Sequence, residues 1–141
     1  MDLLGSNPAF NLYDRTWRIF SRTEAKPPQY VGDSASVVNS MVTEGCEIYG
    51  TVINSVLGSG VYVEPGAVVR DSVVLSNTRI EKNAEVLYSI IDGDVTIGES
   101  ARVGEPKEAG HGIAVVGSGI TVGASMKIEG GAMIATTPTK A

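Results

Sequence analysis

A four-residue unit recurs along most of the chain: a turn-forming residue, a small or β-branched residue, a variable residue, and then Val or Ile. Copies of this unit begin at Ser34, Gly45, Gly60, Gly66, Asn77, Asn83, Asp94, Ser100, Gly119, Ser125 and Gly131. A related unit, in which Ser follows the first residue, begins at Asn39, Asn54, Asp71 and Tyr88. Because side chains alternate between the two faces of a strand, each unit predicts a corner followed by a short strand with apolar residues pointing inward.

The spacing of these units predicts how the strands are arranged. Their second positions lie 5 or 6 residues apart, and three units make 17 residues, as Val61, Thr78 and Val95 show. One coil of three strands cannot bury its own apolar face, whereas stacked coils bury a shared column of Val, Ile and Ala. The pattern therefore predicts an all-β protein, a parallel β-helix over residues 31–134. An ordinary β-sandwich is the alternative, but it would not hold this spacing over so long a stretch of the chain.

The repeat resembles the hexapeptide-repeat left-handed parallel β-helix, and the left hand is taken from that resemblance. Two breaks in the spacing mark departures from it. Cys46 and Ser55 are 9 residues apart where 11 are expected, and Ala101 and Ile120 are 19 apart where 11 are expected. The eight extra residues fall near a polar loop at 104–112, which is expected to project from one face. Loops of this kind often carry function.

Composition divides the chain into three parts. Residues 31–134 hold 18 Val and 10 Ile but only 3 Leu, together with 16 of the 17 glycines, which favours strands over helices. Residues 1–30 hold five of the eight aromatic residues and predict an extended linker or docking arm. Residues 135–141 are polar and predict a frayed tail.

Charge and composition exclude several classes of function. The net charge of −5 argues against a surface for nucleic acid or for an anionic membrane. A single Cys and a single His exclude a disulfide framework and a multi-histidine zinc site, so no metal site is expected. No 18-residue apolar run and no secretory signal are present, so we expect a cytoplasmic protein.

Candidate chemistry is sparse. His111 lies in the 104–112 loop, and hexapeptide-repeat acyltransferases use a loop or edge histidine as a general base, so His111 is the catalytic candidate if this protein is such an enzyme. The alternative is a solvent-exposed loop histidine without a catalytic role. The basic residues Arg70, Arg79, Lys82 and Arg102 on exposed strand positions are candidates for an anion or effector site.

The arm carries a more specific resemblance. Asn11-Leu12-Tyr13-Asp14, Trp17-Arg18-Ile19 and Pro27-Pro28, followed by repeats from Ala35, resemble the linker and C-terminal β-helix of bacterial glucose-1-phosphate adenylyltransferases. The resemblance implies an enzyme that makes ADP-glucose and pyrophosphate from ATP and glucose 1-phosphate, with magnesium, in glycogen synthesis. It also implies that the catalytic motif lies in a separate N-terminal domain. No such motif is present here, so the chain is interpreted as a C-terminal piece that needs no cofactor and is not active alone.

Three functions remain open from the sequence. The first is a regulatory and oligomerisation domain that partners the catalytic domain, forms homo- or hetero-oligomers and binds a sugar-phosphate or nucleotide effector. The second is a free-standing acyltransferase that uses His111. The third is a β-helical interaction module. Trp17, Phe20 and Tyr30 are the interface candidates, because apolar arm residues can cover an exposed end or face of the β-helix.

Overall fold

The backbone winds through three parallel six-stranded sheets, as a computed structural model that describes residues 27–135 shows. The first sheet contains β1 (Tyr30–Val31), β4 (Glu47–Ile48), β7 (Tyr62–Val63), β10 (Arg79–Ile80), β13 (Thr96–Ile97) and β16 (Thr121–Val122). The second contains β2 (Ser36–Val38), β5 (Thr51–Ile53), β8 (Val68–Arg70), β11 (Glu85–Leu87), β14 (Arg102–Val103) and β17 (Lys127–Ile128). The third contains β3 (Met41–Val42), β6 (Val56–Leu57), β9 (Val73–Val74), β12 (Ser89–Ile91), β15 (Ala114–Val116) and β18 (Met133–Ile134). Successive strands enter the three sheets in turn, so every three strands form one coil.

The pairing of strands confirms the predicted parallel β-helix. Arg79 pairs with Tyr62 in the preceding coil and with Thr96 in the following one, and both separations equal the predicted length of three units. The inward side chain of every strand in the second to fifth coils is fully buried: Ile48, Val52, Leu57, Val63, Val69, Val74, Ile80, Val86, Ile91, Ile97, Val103 and Val116. The core is therefore a stack of β-branched and Leu side chains along the axis of the coils.

The corners have the conformation that the turn-forming residues predict. Asn39, Asn54 and Asp71 have φ of 45°, 50° and 50°. Eleven repeat units, from the one at Ser34 to the one at Gly131, lack the Ser at the second position. Ten of these eleven also begin at a residue with positive φ, and the exception is the unit at Ser34. Gly, Asn and Asp tolerate this left-handed conformation better than other residues, which explains their place in the repeat.

A row of serines holds one edge of the coils together. The Ser55 hydroxyl donates to the Ile53 carbonyl at 2.7 Å and accepts a hydrogen bond from the Ser72 N–H at 3.2 Å. The Ser72 hydroxyl accepts in the same way from the Ser89 N–H at 3.1 Å. All three serines are buried, so the row satisfies backbone groups that would otherwise lack partners.

The first break in the spacing is a shortened corner. Two residues, Tyr49 and Gly50, connect β4 to β5, whereas four connect β7 to β8. A Cβ atom on Gly50 would collide with the Ala67 carbonyl and lie 2.8 Å from the Glu64 carbonyl oxygen. Glycine therefore allows the close approach of two coils that the short corner imposes.

The predicted arm (1–30) and tail (135–141) lie mostly outside the described residues. Tyr30, the last residue of the predicted arm, forms β1 with Val31 and pairs with Glu47. Within residues 27–135, no helix is long or apolar enough to cross a membrane.

Candidate functional site

The second break in the spacing is an inserted loop between β14 and β15. Thr96 pairs with Thr121, whereas the regular coil length would bring it opposite Ile113, so the insertion adds eight residues at the predicted place. A single 3-10 turn, Lys107–Ala109, forms its tip and ends at Gly110, which has a φ of 74°. The loop ends at Ala114, where β15 of the third sheet begins.

Glu105 anchors this loop to the last coil. Its side chain is only 18% exposed; one carboxylate oxygen faces His111 Nδ1 and the other lies 3.7 Å from Lys127 Nζ. A Cβ on Gly130 would lie 2.8 Å from the His111 Cβ, so the loop packs closely on the chain beneath it. His111 thus has a carboxylate partner, and its own side chain is 60% exposed. The His111–Glu105 pair does not line the cleft described next.

A cleft of about 410 Å³ opens beside the loop, against the edge where the second and third sheets meet. Asn54 and Asp71 line one part of it, and the Asn54 amide donates to the Asp71 carboxylate at 2.7 Å. Ile90 and Ile113 line another part and are 38% and 41% exposed. The cleft thus joins hydrogen-bonding groups to an apolar wall, which is the usual composition of a small-molecule site.

Tyr88 is the unusual residue of this cleft. It has a φ of 44° and occupies the corner position that Asn39, Asn54 and Asp71 take in the preceding coils. A bulky residue in this conformation costs of order 1–3 kcal/mol, and such strain concentrates at functional sites. The Lys107 ammonium lies 6.0 Å from the centre of the Tyr88 ring. The strain places an aromatic ring in the cleft where the repeat would put a short polar side chain.

Two cations and two carboxylates set the charge around the cleft. Lys107 lines it, and Arg70 lies 3.5 Å from both the Asp71 and the Glu108 carboxylates. The Arg70–Glu108 pair is largely exposed, so it contributes little to stability and can exchange partners, whereas the Asp71 side chain is only 14% exposed. A ligand with a flat face against Tyr88, hydroxyl groups near Asp71 and a negative group near Lys107 would match this arrangement.

The four basic effector candidates do not lie together: Arg79 is in the first sheet, Arg70 and Arg102 are in the second, and Lys82 lies at the corner between β10 and β11 and not on a strand as predicted. Arg79, in the first sheet, ion-pairs with Glu64 and lies 4.9 Å over the Tyr62 ring. The Lys82 backbone N–H donates to the same Glu64 carboxylate at 2.8 Å.

Arg102, in the second sheet, lies 3.7 Å from the Glu85 carboxylate. Arg70 is the one of the four whose carboxylate partner lines the cleft. Tyr88 was not among the candidates, although a tyrosine at a corner otherwise held by Asn and Asp was the signal that could have found it.

Of the three interface candidates, Trp17 and Phe20 lie outside the described residues. Tyr30 is 54% exposed, and its ring centre is 5.9 Å from that of Tyr49, which in turn lies 5.6 Å from Tyr62. Partial removal of Tyr49 from water, together with the nearby Glu47 carboxylate, raises the pKa of the Tyr49 phenol.

The outer faces of the three sheets differ in polarity. In the third sheet, the outward-facing residues that pair with one another from coil to coil are all apolar. They are Met41, Val56, Val73, Ile90, Val115 and Met133. The matching row of the second sheet is mainly polar or charged: Ser36, Thr51, Val68, Glu85, Arg102 and Lys127. An apolar row of this length is typical of a surface that another protein surface covers.

Metal binding has no support in the part of the chain that the structure describes. Residues 27–135 contain no group of three His, Cys, Asp or Glu side chains placed to hold a metal ion. Cys46 is buried, and its thiol donates to the Gly58 carbonyl at 3.0 Å.

Comparisons with known proteins agree with the sequence and the fold. Residues 26–123 match the family described as "GlmU-like, C-terminal hexapeptide". The glucose-1-phosphate adenylyltransferase of Acetivibrio thermocellus is 42% identical over 83% of this chain, and that of Clostridium perfringens is 37% identical over 95% of it. The chain spans 30% and 33% of the length of these two relatives, so the matches confirm the resemblance to their C-terminal part.

One solved structure supports the fold alone. A GDP-perosamine N-acetyltransferase from Caulobacter crescentus, in complex with CoA and GDP-perosamine, is 21% identical to this chain with a TM-score of 0.52. The match covers 79% of this chain and 47% of that protein. At this identity the likeness extends to the β-helix and not to the reaction.

Proposed function

Because this chain belongs to the family of GlmU-like C-terminal hexapeptide domains, we propose that it is the regulatory and oligomerisation domain of a glucose-1-phosphate adenylyltransferase. In this proposal the transfer of the adenylyl group from ATP to glucose 1-phosphate, with magnesium, belongs to a separate catalytic domain. The described residues contribute a binding cleft and an apolar face.

The cleft beside Tyr88 is the observation that carries the regulatory role. We assign to this cleft a sugar-phosphate or nucleotide effector, because its side chains offer a positive charge, hydrogen-bonding groups and an aromatic face. Lys107 would attract the phosphate, Asn54 and Asp71 would bond to hydroxyl groups, and a sugar or base would pack on Tyr88. The strain at Tyr88 supports this assignment, since a strained aromatic residue is hard to explain by the needs of the corner alone.

Replacing Tyr88 with Asn is expected to weaken effector binding while leaving the fold intact or more stable. Asn suits a φ of 44°, as Asn39 and Asn54 show at the same corner, so removing the strain should stabilise the fold by about 1 kcal/mol. Calorimetric titration with a hexose bisphosphate and with AMP should show at least a tenfold loss of affinity.

The control for this test is Tyr62→Asn, which removes an aromatic residue from the first sheet, away from the cleft. This variant should bind the effector as the unmodified chain does. Equal binding by the Tyr88→Asn variant would show that the cleft is not the effector site. Binding of neither probe by the unmodified chain would contradict the regulatory role and leave a purely structural one.

The oligomerisation role is supported by the apolar outer row of the third sheet. We expect the chain to self-associate at tens of micromolar, and Val115→Lys, in the same apolar row but outside the cleft lining, to shift it toward monomer because a charge would enter the apolar contact. Sedimentation velocity measures both. Thr96→Lys, on the outer row of the first sheet, is the matched control and should leave association unchanged. A chain that stays monomeric at these concentrations would contradict this part of the proposal.

A further inference from the structure

The first coil leaves apolar core residues uncovered at the N-terminal end of the stack. Val31 is 46% exposed, and Val37 and Val42 are half-buried, whereas the equivalent inward residues of the next four coils are fully buried. A cavity of about 530 Å³ opens here, lined in part by these three residues and by Gln29 and Met41. Solenoids need a cap at each end, because an open end exposes both the core and unpaired strand edges.

The upstream chain enters at this same end and in the register of the coils. The Gly45 N–H donates to the Pro27 carbonyl at 2.7 Å, and the Gly60 N–H donates in the same way to the Glu44 carbonyl at 3.2 Å. Tyr30 pairs with Glu47, and Tyr62 pairs with Arg79, so both pairs are one coil of 17 residues apart in the sequence. Pro27 therefore already follows the path of a coil at the open end of the stack.

The regular coil is 17 residues long. The residues that lie 17 positions before the inward residues of the first coil have side chains suited to a cap. Phe20 is the counterpart of Val37, and Ala25 is the counterpart of Val42. Thr23 is the counterpart of Ser40, whose hydroxyl accepts the Ser55 N–H at 3.0 Å in the serine row. Three successive inward positions thus carry an aromatic residue, a hydroxyl and a small apolar residue, in the order that the coils require.

We propose that residues 19–26 of this chain form a partial coil that caps the open end, with Phe20 lying over Val37. The segment belongs to the same molecule and is joined to the end through Pro27, so its local concentration there is high. A second copy stacked end to end has no such tether, and it is the alternative that the cross-linking experiment distinguishes. The arm would then be part of the solenoid and would fix the direction in which upstream residues leave it.

A designed cross-link tests this contact directly. The paired variant Phe20→Cys/Val37→Cys should form an intramolecular disulfide, because residues facing each other on neighbouring strands lie within disulfide reach. Mass spectrometry of peptides from the oxidised full chain would detect it. The control pair Ile19→Cys/Val37→Cys should not cross-link, since residue 19 would point to the opposite face. The native thiol, Cys46, is buried and should contribute little background.

A second measurement keeps the test independent of disulfide formation. Phe20→Ser should lower the Tm by about 5 °C or more and increase acrylamide quenching of Trp17, the single tryptophan of the chain, whereas Ile19→Ser should do neither. Intermolecular disulfides would assign the end to a second copy and overturn the proposal. Absence of any disulfide together with equal Tm values for the two serine variants would also overturn it.

Discussion

Gly104→Ala is expected to cause one of the largest losses of stability in this molecule, about 3 kcal/mol or more. Gly104 begins the inserted loop with a φ of 77°, and a Cβ there would collide with the Leu87 carbonyl and the Ser89 hydroxyl. Both atoms belong to the hydrogen-bonded serine row, since Ser89 Oγ donates to the Leu87 carbonyl at 2.7 Å. Neither can move without loss of buried hydrogen bonds, so the substitution adds backbone strain and a clash together.

Gly110→Ala is the matched control for this substitution. Gly110 lies in the same loop with a φ of 74°, but a Cβ there would meet no atom within 4 Å. It should lose only about 1 kcal/mol, the cost of the left-handed conformation for a non-glycine residue. Thermal and urea unfolding of both variants measure the difference. Equal losses would show that backbone conformation alone, and not the contact with the serine row, explains the glycine at 104.

Ile80→Ala is expected to destabilise the protein by about 3 kcal/mol, within the range for buried Ile truncations. Ile80 is fully buried in the middle of the stack and pairs with Val63 and Ile97, which are also fully buried. Because neighbouring coils are fixed by backbone hydrogen bonds, they cannot collapse to fill the space that the side chain leaves. The cavity left by the truncation should therefore stay open, and most of its free-energy cost should appear as lost stability.

The control for the core truncation is Ile113→Ala. Ile113 is 41% exposed on the inserted loop, so its truncation should cost less than about 1 kcal/mol. Unfolding by urea, followed by circular dichroism in the absence of any effector, compares the two variants. A loss of less than about 1 kcal/mol for Ile80→Ala would contradict a rigid core, and it would indicate that the coils adjust to one another.

The candidate site was harder to predict from sequence than the fold. The loop that carries Lys107 is predicted at 104–112, because it is visible as an excess of eight residues in a regular spacing, but nothing in the sequence singles out Lys107 itself. Arg70 was identified as a basic residue on an exposed strand, but its position beside the cleft depends on Asp71 and Glu108, which come together through the path of the loop. Arg79 and Arg102 share that sequence signature, but Arg79 lies in the first sheet, Arg102 lies two coils further along the second sheet, and each has a carboxylate partner of its own.

The sequence by itself determined the strands, the corners, the length of each coil and the place of the insertion. These features are local, since each inward Val or Ile and each left-handed Asn, Asp or Gly follows from the conformation of a few neighbouring residues. Only the tertiary structure decided which side chains share a cleft and which face is apolar. Asn54, Asp71 and Tyr88 occupy the same corner of three successive coils and meet because the coils stack in register, while Lys107 reaches them through the folded loop. No local pattern specifies that meeting, because it depends on the path of the whole chain around the axis.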